Sequence, residues 1–145
     1  MQHQKLILTG KPRKRAMHYH PYTLSREKAR DISLRLQEFM LASKPFLKYR
    51  YSIRSLAQDI DVQAYQLSTF LNKEINLRFT DYLNQFRIEY CENLIKKGFA
   101  KDLNLKGLAL ICGFQNRNTL TSAFKKFTGL TPSGYSRYVR SSEHI

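Results

Sequence analysis

Acidic residues are scarce in this chain: 11 Asp and Glu stand against 25 Lys and Arg, leaving a net charge of +14. There are two cysteines, Cys91 and Cys112, too few for a disulfide framework or a four-ligand zinc site. No run approaches the ~18 uninterrupted apolar residues of a spanning helix, and residues 1–9 are too polar and short for a secretory signal. No carboxylate pair falls in an expected cleft, no nucleophile has a placed histidine, and no glycine loop cradles a phosphate, so nothing points to an enzyme. What is present is 145 residues, 42% hydrophobic and 12% aromatic, enough for one domain or two very small ones sharing a core. The expectation is a reduced, soluble, cytoplasmic chain whose charge suits a polyanion, nucleic acid first.

That charge is unevenly spread. Residues 1–22 hold Lys5, Lys11, Arg13, Lys14 and Arg15 and no acid, whereas residues 23–45 and 46–103 each carry only +2. Residues 104–140 carry Lys106, Arg117, Lys125, Lys126, Arg137 and Arg140, again with no acid. A basic tail is ordinarily a solvated one. An acid-free stretch inside a folded module asks for a partner.

From residue 24 the apolar positions recur at helical spacing. Residues 1–22, broken by Gly10, Pro12 and Pro21, read as a basic tail or linker. Ile32, Leu36, Phe39 and Met40 mark an amphipathic lead-in helix within 23–45, stopped by Pro45; Ser25 gives it half a capping signal. Short helices are predicted at about 53–60 and 64–74, and a long one at 79–97 that ends before Gly98. Further helices are predicted over 106–112 and 116–128, and Thr131-Pro132 opens another, with Thr131 as cap and Pro132 at the first helical position. No segment alternates with period two.

An internal repeat organises these helices. Leu56-Ala57 lies 52 residues before Leu108-Ala109, and Asp61-Val62 before Gly113-Phe114. After one inserted residue the offset becomes 53, pairing Leu67 with Leu120, Ser68 with Thr121, Thr69 with Ser122, Leu71 with Phe124 and Asn76 with Gly129. Each copy reads as a helix-turn-helix: a small residue where two helices cross, a turn residue suited to positive φ, an apolar plug, then a second helix. The second helices carry apolar residues on one face and small or amide-bearing residues on the other. A helix entering the major groove needs that outer face, because amides, hydroxyls and Arg match base edges and bulky groups block entry.

Residues 52–140 resemble the DNA-binding domain of the AraC/XylS family of bacterial transcription regulators. The strongest likeness is Gly113-Phe114-Gln115-Asn116-Arg117-Asn118-Thr119-Leu120, continuing through Ala123-Phe124-Lys125-Lys126-Phe127-Thr128-Gly129-Leu130-Thr131-Pro132-Ser133 to Tyr135. Ser52 to Leu71, Tyr82-Leu83-Asn84 and Arg87 resemble the first unit and its linker helix, and residues 24–45 resemble the lead-in helix of a Bacteroidetes-type branch. Asp61 and Asn76 replace usual glycines, and Cys91 a usual small alanine. The resemblance implies an all-α fold of two helix-turn-helix subdomains joined by a long linker helix, about seven helices plus an extra N-terminal lead-in. The division expected is a lead-in helix at 23–45, a first unit at 46–97 whose linker helix is 79–97, a second unit at 98–140, and a tail at 141–145. Two recognition helices would enter successive major grooves of double-stranded DNA, roughly 34 Å apart.

The expected base contacts are Gln63, Tyr65, Gln66, Ser68 and Thr69 in the first unit, and Asn116, Arg117, Asn118, Thr121 and Ser122 in the second, the latter matching positions that read bases in the family. Lys73, Lys106, Lys125, Lys126 and Ser133 are the expected phosphate contacts. His18 and His20, with His3, make too poor a ligand set for a metal site, and no cofactor is expected. Cys91 and Cys112 read as buried packing residues. The implied role is sequence-specific promoter binding in the bacterial nucleoid, with RNA polymerase as a further partner, no membrane contact by this chain and a monomeric isolated state. Two alternatives stay open: the output module of a membrane-linked or two-component sensor, and an RNA-binding or protein-adaptor module.

Overall fold

A computed structural model describes residues 23–101 and 103–143 of the chain. The histidines and basic run of residues 1–22 lie outside the described residues. Among the described residues the regular elements are all helical. The seven α-helices are α1 (Arg26–Ser43), α2 (Ile53–Asp59), α3 (Ala64–Phe70), α4 (Phe79–Lys96), α5 (Leu105–Ile111), α6 (Arg117–Thr128) and α7 (Pro132–Ser142). The lead-in helix is α1, and a short 3-10 turn, Pro45–Leu47, follows it. None is long and apolar enough to cross a membrane.

Local chemistry sets the helix ends. Ser25, Ser52, Asn104, Asn116 and Thr131 each accept a hydrogen bond from the backbone N–H three residues on, at 3.1, 3.1, 2.7, 2.9 and 3.1 Å. Such a cap satisfies one of the four orphan donors of the first turn and contributes about 1 kcal/mol. The half-signal at Ser25 is therefore a working cap. At the other ends Lys44, Asn76, Gly98 and Gly129 turn left-handed, and the backbone folds back onto the last carbonyls.

The third helix departs from its expected course. It is α-helical only to Phe70 and then widens into a π-helical turn, Leu71–Ile75. Asn76, with φ 59°, ends it by donating to Leu71 O, and Leu77 N–H reaches the same carbonyl at 3.0 Å. The bond from Asn76 reaches five residues back, the π pattern, where an α turn reaches four.

Two compact units share these helices. The first comprises the described residues up to Pro45 together with Tyr51–Tyr82, and the second comprises Phe46–Arg50 and the described residues from Leu83 on. Helix α4 starts in the first and continues in the second. In the first unit α1 and α2 both pack on α3; Ile32, Leu36 and Met40 of α1 are buried, as are Leu56, Ala57, Leu67, Phe70 and Leu71. In the second unit Ile88, Cys91 and Ile95 of α4 share a core with Leu108 and Ala109 of α5, Leu120 and Phe124 of α6, and Tyr135 of α7. The Phe124 and Tyr135 rings meet edge to face at 5.4 Å. Cys91 and Cys112 are free and fully buried; a hydrogen bond between the thiols, together with burial, pushes Cys91 up. They are packing residues.

Residues 46–50 belong with the second unit because of contacts far along the chain. Phe46 stacks on Phe86 at 5.5 Å, and Arg87 Nε donates to Phe46 O at 2.7 Å. That carbonyl lies against Gly113, whose φ is 88°. A Cβ at Gly113 would stand 2.3 Å from Phe46 O and 3.1 Å from Leu47 Cα, whereas one at Gly129, with φ 79°, would meet nothing within 4 Å. Gly129→Ala should therefore carry only the backbone penalty, about 1–2 kcal/mol. Gly113→Ala adds a backbone collision and should cost roughly 2–5 kcal/mol. Denaturant unfolding of the two variants checks the difference; equal losses would remove the close approach from the explanation.

Glu92 supplies a pH dependence. Burial raises its carboxyl above 4.5, against the pull of a Tyr135 hydrogen bond and of Lys96, while Glu89 adds to the rise. Between the unfolded and folded values the folded chain holds a proton that the unfolded chain has released, so stability falls as pH rises through that window. Glu92→Gln is expected to flatten the fall in melting temperature above about pH 4.5. An unaltered pH profile would assign the dependence to other groups.

Candidate nucleic-acid interface

Both units close their turns with the same backbone bonds. Ile60 N–H donates to Leu56 O at 3.0 Å, and Cys112 N–H to Leu108 O at 3.1 Å. Asp61 N–H reaches Gln58 O at 3.2 Å, and Gly113 N–H reaches Leu110 O at 3.1 Å. Val62 N–H to Ala57 O and Phe114 N–H to Ala109 O are both 2.9 Å. The offset of 52 seen in sequence is thus repeated bond for bond. Asp61 adopts φ 56°, as Gly113 adopts a positive φ, so both expected turn residues occupy the left-handed region. The plugs differ: Phe114 is buried, while the smaller Val62 is only half-buried.

The turn of the first unit delivers α3. Gln63 is its N-cap, and Gln63 N–H donates to Gln66 Oε1 at 3.4 Å. Gln63 and Tyr65 are exposed and Gln66 and Ser68 half-buried. Asn72 Nδ2 lies 3.4 Å from Ser68 Oγ and donates to it. Thr69 requires a correction. Its side chain is 6% exposed and its hydroxyl donates to Tyr65 O at 2.8 Å, so it is turned into the unit and satisfied within its own helix. A threonine can do this because its methyl suits an apolar neighbourhood while its hydroxyl returns to the carbonyl four residues back.

In the second unit α6 opens with Asn116, whose Oδ1 accepts from both Thr119 N–H and Thr119 Oγ, each at 2.9 Å. Its amide oxygen is committed to the cap. Arg117, Asn118 and Ser122 are exposed, and Thr121 is half-buried with its hydroxyl donating to Arg117 O at 2.9 Å. Leu120, Ala123 and Phe124 point into the core. The outer face of α6 is therefore short, polar and open, and no acidic residue lies on this helix.

Four lysines and Ser133 lie near helix ends. Lys73 is exposed on the π turn, Lys106 in the first turn of α5, Lys125 and Lys126 in the last turn of α6, and Ser133 in the first turn of α7. Lys126 Nζ stands 5.5 Å from the centre of the Phe127 ring. Arg54 joins this set. It is exposed on α2, carries no motif signal of its own, and is found by the offset of 52 that pairs it with Lys106.

Comparison with known proteins tests the family. A family model described as a helix-turn-helix domain matches residues 56–138. An uncharacterised HTH-type transcriptional regulator of Escherichia coli K12, YijO, is 32% identical over 111 residues, which are 74% of this chain and 38% of YijO. The chain belongs to the AraC-type helix-turn-helix family. This AraC-type chain spans well under half the length of that curated relative. Among solved structures, a protein of unknown function from Listeria innocua is similar at TM-score 0.62 and 29% identity, covering 74% of this chain and 96% of that one. The C-terminal domain of AraT, a response regulator from Geobacillus stearothermophilus, shares the fold at TM-score 0.58 and 22% identity, covering 81% of this chain and 88% of that one.

Proposed function

We propose that this chain is a sequence-specific reader of double-stranded DNA that regulates transcription at bacterial promoters, with α3 and α6 in successive major grooves. The observation carrying this reading is the duplicated turn, which in each unit ends in a helix with an apolar inner face and a polar outer one. Arg117, Asn118, Thr121 and Ser122, with Gln63, Tyr65, Gln66 and Ser68, read base edges. Asn116 contributes mainly by fixing the start of α6. Lys73, Lys106, Lys125, Lys126 and Ser133, joined by Arg54, hold phosphates and set the register. RNA polymerase is the partner at the promoter, and the isolated chain is a monomer. A second reading concerns the whole protein: that this module is the output of a longer regulator. It is favoured by the 38% of YijO that the chain matches and by its likeness to the C-terminal domain of a response regulator.

Selection of bound duplexes from a random pool at fixed salt should yield two boxes whose centres lie about one helical turn apart. A preference for RNA in competition, or no enriched sequence, would overturn the reading. On the selected duplex, Arg117→Ala should weaken binding by roughly 1–3 kcal/mol and leave random duplex nearly unchanged. Lys126→Ala should instead weaken both and reduce the salt slope by about one unit. Titrations at three or more salt concentrations separate the two roles, and equal behaviour of the variants would sink the assignment.

A further inference from the structure

The lead-in helix touches the turn of the first unit through its middle. Arg35, midway along α1, donates from Nη1 to Ile60 O at 3.1 Å and to Asp61 O at 3.4 Å. Its Nε donates to Asp31 Oδ1 at 3.0 Å, and Asp31 also pairs with Lys28 at 3.7 Å. The guanidinium is therefore held by a carboxylate one helical turn back and aimed at two carbonyls just past the end of α2. Carbonyls at a helix C-terminus lack partners within the helix and carry its negative dipole end, so a cation there meets two needs together.

The second unit has a counterpart. Arg87 lies 52 residues after Arg35, the separation that relates Leu56-Ala57 to Leu108-Ala109. It also sits at mid-helix, in α4, beside a turn, with its guanidinium 5.5 Å from the centre of the Phe114 ring. Leu36 and Ile88, the next residues, are both 2% exposed. Helices α1 and α4 thus each bring an arginine to their own helix-turn-helix. The modes differ. Arg87 covers a buried phenylalanine plug, whereas Arg35 holds turn carbonyls beside Asp61, a residue less at ease than glycine with positive φ.

We propose that Arg35 is a positioning residue for the first reading helix: by tying Ile60 O and Asp61 O to α1 it fixes the direction in which α3 leaves the turn. This rests on the DNA-reading proposal for its effect on sequence choice, though not for its effect on the turn. Lysine keeps the charge but lacks the planar fork that serves two carbonyls and a carboxylate together.

The test uses the full chain with Arg35→Met and Arg35→Lys. Native-state hydrogen exchange should quicken about tenfold at the Asp61 and Val62 amides in Arg35→Met, with that of α6 unchanged. On selected duplexes, Arg35→Met and Arg35→Lys should lose about tenfold in discrimination at the base positions that Ser68→Ala disturbs, and none at those that Arg117→Ala disturbs. Unchanged exchange at the turn overturns the proposal, whatever the DNA result. Equal loss at both sets of positions, or full retention by Arg35→Lys, also overturns it, the first indicating general unfolding and the second charge alone. If the unaltered chain selects no duplex, the DNA reading fails, and the exchange result still decides the role of Arg35.

Discussion

The structure depends on a backbone bond that closes each turn, from Val62 N–H to Ala57 O and from Phe114 N–H to Ala109 O. Reaching back five residues requires one residue of the turn to go left-handed, which restricts that place to Gly, Asn or Asp with little strain. The bond also brings the following helix close to the preceding one, so the crossing position must be small; Ala57 and Ala109 are both buried. From these two demands follow the direction of α3 and α6, the faces they bury and the faces they leave open.

The two copies meet the demand with different means. The second has glycine at the turn, a buried phenylalanine plug and the backbone of Phe46 and Leu47 close against it. The first has aspartate and a half-buried valine, and an arginine from the lead-in helix takes two of its turn carbonyls. A helix that resembled a mere preface in sequence is therefore structurally part of the first unit.

Much of this was legible from residues alone. Local chemistry has local signatures: Thr131 and Pro132 announce α7, Gly98 ends α4, and the repeat of Leu-Ala before a turn residue marks both helix-turn-helix units. What escaped depends on contacts remote in sequence or on a choice between near-equal conformations. The attachment of residues 46–50 to the second unit rests on a bond between Arg87 and Phe46, 41 residues apart. Thr69 pairs in register with Ser122, yet one is buried and the other exposed, because a threonine can satisfy its hydroxyl within its own helix.

The widened turn at Leu71–Ile75 has a consequence for reading one copy from the other. Residues 64–75 and 117–128 are equal in number, and each run ends at a left-handed residue, Asn76 or Gly129. A π turn takes up more residues per revolution than an α turn, so equal counts do not mean equal angles about the helix axis. Asn72 and Lys73 lie on this π turn, whereas their aligned partners Lys125 and Lys126 lie on a regular α turn. Homology within this chain transfers identity of position along the helix, but past Phe70 it no longer transfers azimuth.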